Sequence, residues 1–327
     1  MAPGILVNKA TSPPALKQGE ASKPDLRAMF RDRETLELHS SGGPIDEDSL
    51  GWLEPTSKDT SAEQMRERYN RDGYLWVKGV LPKDDVWKMR ETYLEYLPGL
   101  TERWMQPGKL RRKFGFQDQN TEYIQRMVAA HSEKWYRDFC AHPDLQAFVK
   151  HLTGWEDTTL LERSILRPNV PGGGTTQVHY NQILLRAGPP TSITAWVPIG
   201  DCAANGGGLL YLEDSVRVGQ QLEREFNKAA ESLTEAERIS AFNETMMSTG
   251  YLERDSGKFS KAWNRRWLCA DYEAGDIVLH NPFMIHSSAI NEEERGVIRF
   301  ATDLRYVEAG KPFDTRWMKT WVPGDGL

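Results

Sequence analysis

The chain is short of cysteine, of long apolar runs and of basic excess, and each shortage removes a class of protein. Cysteine occurs three times, at Cys140, Cys202 and Cys269, with no paired spacing. That excludes a disulfide framework and a thiolate zinc site and fits a reducing compartment. No stretch nears the roughly 20 apolar residues of a membrane helix. The N-terminal segment has only the short apolar run Ile5-Leu6-Val7 and does not read as a signal peptide, and the final "GDGL" is not a peroxisomal ending. A cytoplasmic protein with no membrane partner is expected. Lys and Arg number 41 against 47 Asp and Glu, for a net charge of −6. A mildly acidic chain has no long-range attraction for phosphate, so nucleic acid is not an expected partner. What is present is an ordinary soluble composition, 39% hydrophobic and 27% charged over 327 residues, enough for one large domain and compatible with a homodimer.

The pattern changes along the chain. Residues 1 to about 50 are rich in Pro, Ser, Gly and charge and show no apolar period. A flexible N-terminal arm over 1–55 is expected, ordered only where it lies against the rest, with 56–327 as a single domain. Thr60 and Glu63 stand at capping-box spacing ahead of a short helix. "YLWVKGVL" has strand composition and stops at Pro82. Val86, Met89, Tyr93 and Leu97 recur at helical spacing, and more helix is expected over about 120–152, broken near Pro143. From about 158, short β-rich runs alternate with Gly and Pro turns: "TTLLERSILR", "TQVHYNQILLR", "SITAWVPIG", "GGLLYLE", "DIVLHNP", "FMIHSSAI" and "VIRFATDLRYV". A helical insert is expected at about 217–250. Helices followed by many short strands predict a β-sandwich or barrel with helices packed on one side.

If "TQVHYNQILLR" is a strand, His179 and Asn181 project on one face. His286 and Arg299 follow in later runs. His39, His131, His142 and His151 stand in polar or helical contexts without ligand spacing, and His280 reads as structural. "NGGGLLYLE" lacks the strand–glycine–helix order of a dinucleotide site and reads as a turn into a strand. The charged stretch 217–240 reads as a solvated helix face. Eleven tryptophans read mainly as core or rim packing, with some walling a pocket for a bulky apolar or aromatic ligand. Trp317 and Trp321, in the tail, are expected to fold back over the strands.

His179, position 181, His286 and Arg299 together resemble the two-histidine, one-carboxylate triad of iron(II)/2-oxoglutarate oxygenases. There, three ligands hold one face of the metal and an arginine grips the cosubstrate's distal carboxylate. The blocks around them resemble, more specifically, the phytanoyl-CoA dioxygenase family, of the kind that tailors natural products. They read His179-Tyr180-Asn181; Trp196 to Pro198 and Asp201; Asn205 through the glycines to Leu209; Gly275-Asp276 through His280 to His286 and Ser288; and Arg299 through Ala301, Asp303 and Arg305 to Tyr306. The resemblance spans roughly 65–310. It implies a mostly β fold with flanking helices, a double-stranded β-helix (jelly roll, cupin-like barrel). It implies oxidation of a small organic molecule coupled to conversion of 2-oxoglutarate to succinate, with Fe(II), 2-oxoglutarate and O2 as cofactor and cosubstrates. By that likeness His179, Asn181 and His286 stand at the metal-ligand and catalytic positions. Arg299 binds 2-oxoglutarate in preference to Arg295 or Arg305, the last read as a salt-bridge residue, and Trp196 and Ser288 line its pocket. An acyl-CoA substrate is not expected, since no basic cluster is set aside for its phosphates.

The chain departs from the family pattern at Ala301, where a serine or similar small residue is usual, and at Asn181, where the family has aspartate. An amide oxygen supplies a dipole where a carboxylate supplies a charge, so iron affinity is expected to fall. Three readings stay open: an impaired form of an active enzyme, an enzyme working with two histidines and an asparagine, or a non-catalytic jelly-roll relative acting as a binding protein or partner subunit. A halogenase fits less well, because those enzymes place Gly or Ala where Asn fills the room.

Overall fold

The structure is a computed structural model that describes residues 36–97, 121–240, 251–293 and 297–322. Residues 1–35 of the expected arm, the last part of the expected insert and Arg295 lie outside the described residues. The described chain opens with β1 (Leu38–Ser40), β2 (Gly43–Ile45), β3 (Leu50–Trp52) and β4 (Pro55–Ser57), then α1 (Ala62–Asp72), β5 (Tyr74–Lys78) and α2 (Lys83–Tyr96). Helices α3 (Thr121–Ala130), α4 (Lys134–Cys140) and α5 (Pro143–Thr153) follow. Strands β6 (Thr158–Leu160), β7 (Ile165–Asn169), β8 (Ile193–Pro198) and β9 (Leu209–Leu212) come next, then α6 (Val216–Ala229), α7 (Glu235–Ser240) and α8 (Ser256–Trp263). The chain ends in β10 (Trp267–Cys269), β11 (Ile277–His280), β12 (His286–Ser288) and β13 (Arg299–Glu308).

A larger sheet runs β4-β5-β11-β8-β13-β6, with β7 also paired to β13; a smaller one runs β12-β9-β10-β3. Side-chain alternation sorts the larger sheet's two faces. Leu75, Val77, Ile193, Ala195, Val197, Ile277, Leu279 and Leu304 pack with Met65, Val86, Met89, Tyr93 and Val149 of the helices. Tyr74, Trp76, Trp196 and Val278 point the other way and pack with Leu209, Tyr211 and Leu268 of the smaller sheet. The architecture is therefore mostly sheet with flanking helices, but not on one side only. Helices α1 to α5 cover the outer face of the larger sheet, while Val218 of α6 and Phe259 of α8 pack against Leu210, Leu212, Trp267 and Cys269 on the outer face of the smaller one. The two sheets face each other, and their strands do not join into a closed barrel among the described residues.

Four local expectations shift. The cap of α1 is Ser61, whose Oγ accepts from Gln64 N at 3.3 Å, one residue after Thr60. The helical region before 153 is three helices rather than two. Residues 38–55, read as arm, carry β1 to β3 and the start of β4: β3 lies parallel to β10 and β4 parallel to β5, because Leu38, Ile45 and Leu53 are apolar anchors too widely spaced to show as a period. The stretch "TQVHYNQILLR" is not a strand. Val178 and His179 make isolated bridges to Glu253 and His286, and Asn181–Ile183 turns into a short 3-10 helix. The tail does fold back: Trp317 is buried and its Nε1 donates to Leu184 O at 3.2 Å.

Candidate active site

The site lies between the two sheets. His179 and His286 bridge through their backbones, His179 N to His286 O at 3.0 Å and His286 N to His179 O at 2.9 Å, which sets their ring centroids 4.1 Å apart. Each ring is held the same way: Nδ1 of His179 lies 2.8 Å from Gln177 O, and Nδ1 of His286 lies 2.8 Å from Met284 O. A carbonyl oxygen only accepts, so both rings carry their proton on Nδ1 and leave the Nε2 lone pair free. That tautomer and orientation is what a metal-ligating histidine needs from its surroundings.

Asn181 is buried, and despite the missing strand it lies on the histidines' side of the chain. Its Nδ2 donates to Thr194 Oγ1 at 2.7 Å and to His280 Nε2 at 2.9 Å. His280 then carries its proton on Nδ1, which faces Tyr211 Oη at 3.2 Å. The His280 ring is 4.6 Å from that of His286, and Tyr211 stacks on His286 at 6.0 Å. His280, read from the sequence as structural, thus sits inside the cluster and holds Asn181 and Tyr211 there. The two histidines are only six residues apart, but the turn between them moves the chain from β11 in the larger sheet to β12 in the smaller one. They meet across the sandwich.

Burial pushes all three imidazoles toward the neutral form. Desolvation lowers the pKa of His179 to about 4 and those of His280 and His286 well below the usual value. The Arg305 guanidinium adds to the shift of all three. Arg167 of β7 adds to that of His179; it keeps solvent contact at the mouth of the sandwich, and its Nη1 donates to Thr176 Oγ1 at 3.0 Å.

The other expected residues form a second locus beyond His286. Ser288, two residues along β12, accepts from Thr176 N at 2.7 Å through Oγ. Arg299 opens β13 and donates from Nε to Gly207 O at 3.0 Å, the carbonyl that also takes the Asn169 amide at 3.2 Å. Gly207 has φ +79°, and a Cβ there would lie 2.4 Å from Asn169 Nδ2. The glycine run thus lets the backbone approach closely enough to meet both side chains. Trp196 is buried on the inner face of β8, edge-on to Tyr272 at 4.6 Å. Arg305, expected in a salt bridge, has no carboxylate within 4 Å among the described residues and instead stacks on Trp317 at 4.3 Å. Some block residues are structural. Asp276 takes Trp76 Nε1, Lys78 Nζ and the amides of Gly79 and Glu273, pinning the turn before β11.

His179 and His286 fit two ligand positions of a metal centre. The third holds an amide whose nitrogen faces Thr194 and His280. Among the described residues no three His, Cys, Asp or Glu side chains form a group that could hold a metal ion. No described helix is long and apolar enough to cross a membrane.

Comparison with known proteins supplies the family. Among solved structures, the non-heme alpha ketoglutarate dependent carbocyclase SnoK from nogalamycin biosynthesis is 16% identical, covering 79% of this chain and 88% of that one at a TM-score of 0.49. The epimerase SnoN in complex with Fe3+, alpha ketoglutarate and nogalamycin RO is 19% identical, over 81% and 91%, at 0.47. AviO1 from Streptomyces viridochromogenes Tue57 is 14% identical, over 77% and 97%, at 0.49. At these identities and scores the likenesses carry no argument about reaction or substrate. No curated protein sequence matches the chain. The model of the phytanoyl-CoA dioxygenase (PhyH) family matches residues 69–299, a span that holds His179, Asn181, His280, His286 and, at its last position, Arg299. With well over half of its length in that match, the chain belongs to the phytanoyl-CoA dioxygenase family.

Proposed function

We propose that the chain is an iron(II)/2-oxoglutarate-dependent dioxygenase that oxidises a small, apolar or aromatic secondary metabolite by hydroxylation, desaturation or rearrangement. Family membership brings iron(II), 2-oxoglutarate and dioxygen as cofactor and cosubstrates. The observation that carries the reading is the histidine pair. Two imidazoles face each other with Nδ1 tied to backbone carbonyls and Nε2 free. His179 and His286 would hold the iron, with the Asn181 amide as a neutral third donor. The metal, when bound, supplies activation of dioxygen for C–H oxidation. The protein's own part is positional: Arg299 grips the distal carboxylate of 2-oxoglutarate, Ser288 and Trp196 line its place, and the aromatic inner face excludes water. A double-stranded β-helix is the barrel type that this reading implies.

A second reading rests on one observation. The amide nitrogen of Asn181 already has two partners, Thr194 and His280, so the third ligand position is a stable hydrogen-bonding element without metal. That favours a non-catalytic relative acting as a binding protein or partner subunit. Anaerobic addition of Fe(II) and 2-oxoglutarate separates the two. The enzyme reading expects a weak visible charge-transfer band that grows with iron, and the binding-module reading expects none at any concentration. Succinate release in air then tests turnover.

A further inference from the structure

Arg305 is 2% exposed, and its Nε and Nη1 have no hydrogen-bond partner. A guanidinium grips a carboxylate through the Nε–Nη2 edge or the Nη1–Nη2 edge, and each edge here includes an unpartnered donor. Strand register places the residue. Arg305 of β13 pairs with Thr194 of β8, and Thr194 pairs with His280 of β11. The three stand in one row across the sheet, about 4.8 Å per strand apart, on the face that looks at the smaller sheet. Thr194 is also the residue that receives the Asn181 amide. Trp317 backs the guanidinium, itself held to Leu184 O. Of the charged groups acting most strongly on Arg305, Asp303 is the one acid, while Arg163 and Arg167 are cations. The neighbourhood is therefore short of negative charge.

Arg299 and Arg305 occupy the same inner face of β13, six residues apart. At about 3.4 Å per residue their backbones are separated by roughly 20 Å, and their side chains are held by different partners, Arg299 by Gly207 O and Arg305 by the Trp317 ring, so the two guanidiniums offer separate anion sites. We propose that Arg305 receives a carboxylate of the substrate, so that this chain acts on an aromatic or apolar organic acid whose oxidisable part lies toward the His179–His286 pair. The proposal rests on the oxygenase reading for what happens to the bound acid, but not for its binding.

The test is thermal stability of the full chain with carboxylates and their matched neutral amides: benzoate and benzamide, phenylacetate and phenylacetamide, indole-3-acetate and indole-3-acetamide. Each is measured with and without Ni(II) plus saturating 2-oxoglutarate. At least one acid is expected to stabilise the chain at a tenfold lower concentration than its amide. Arg305→Gln is expected to erase the difference, and Arg305→Lys, which keeps the charge and packs more easily, to retain part of it. Arg299→Ala should leave it intact while losing the 2-oxoglutarate effect. The proposal fails if no acid outperforms its amide on the unaltered chain, or if Arg305→Gln keeps the difference. It fails equally if Arg305→Gln, not Arg299→Ala, abolishes stabilisation by 2-oxoglutarate, since Arg305 would then belong to the cosubstrate. Failure of the oxygenase reading is distinct: it shows as a missing Fe(II) charge-transfer band while the acid–amide difference persists without metal.

Discussion

At the residue scale the chemistry turns on Asn181. Its two hydrogen bonds run to partners that can reverse their roles. Thr194 can donate instead of accept, and His280 can move its proton to Nε2 while Nδ1 accepts from Tyr211. Asn181→Asp should therefore fold, keep the polar contacts and switch the His280 tautomer. It also restores the charge that the position lacks. Iron affinity should rise ~10-fold or more, the scale on which changes around a metal site act, and succinate release should rise with it. Titration of both forms with Fe(II), with 15N chemical shifts of His280 as the second readout, checks this. An unchanged iron affinity alongside a switched tautomer would mean that catalysis has been lost by more than one change. The companion test is Arg299→Ala. The parent should gain about 2.7 kcal/mol of stability with 2-oxoglutarate at ~100 times its dissociation constant, and the variant should lose most of that gain in metal-dependent thermal shifts. Motif blocks, by their spacing, single out His179, His286, Ser288 and Arg299 as candidates. The places of His280 beside His286 and of Arg305 in the same strand row were not legible, because they depend on which strands stand opposite one another, and no local pattern carries that.

At the scale of elements, the segment 177–183 shows how a right conclusion can rest on a wrong intermediate. Strand alternation predicts that His179 and Asn181 share a side, and they do, yet the chain leaves extended geometry after Tyr180 and curls into the 3-10 turn. What holds this turn is the helical insert. Tyr180 Oη donates to Glu223 of α6 at 2.6 Å, and Arg186 grips the same carboxylate at 2.8 and 2.7 Å. The stretch containing Glu223 reads as a solvated face from sequence, but Glu223 is buried, so the insert anchors the turn that carries Asn181. Breaking a buried ion pair from one side costs about 3–5 kcal/mol. Glu223→Ala should lower the melting temperature on that scale and weaken Fe(II) binding at temperatures where the variant is still folded. A variant that loses stability while its iron titration overlays the parent's would show that α6 supports the fold without positioning His179.

At the scale of the whole molecule, the neutral histidine cluster links stability to pH. In the unfolded chain each imidazole takes a proton near pH 6.5. In the folded chain burial holds His179 to about 4 and the other two well below the usual value. Below pH 6.5 the unfolded state binds more protons, so stability is complete above that pH and declines as pH falls toward 4. The metal-free protein should show this decline in its melting temperature, with proton uptake on unfolding near pH 5. Substitution of His280 by Asn should flatten the slope.

The last expectation concerns where the folded unit begins. From composition alone the domain starts near 56, and a chain starting at Ser61 should bind 2-oxoglutarate like the full one. The structure changes that expectation. β3 is the edge strand beside β10, with Leu50, Gly51 and Trp52 opposite Trp267, Leu268 and Cys269. Leu53 belongs to the inner core with Trp196 and Tyr211, Leu38 and Ile45 to the core that includes Val178 and Tyr180. Ser40 Oγ accepts from Ser256 N at the start of α8. Removing residues before 61 deletes these strands, uncovers β10 and strips apolar side chains worth roughly 1.5–3 kcal/mol each when fully buried. Three such losses approach the whole stability of a typical domain, 5–15 kcal/mol. The shortened chain should be aggregated or marginally folded, and 2-oxoglutarate should stabilise it far less than the full chain. The measurement is circular dichroism melting of both chains with and without Ni(II) and 2-oxoglutarate. A shortened chain that melts with the full one would show that β1 to β4 dock on a domain that is complete without them.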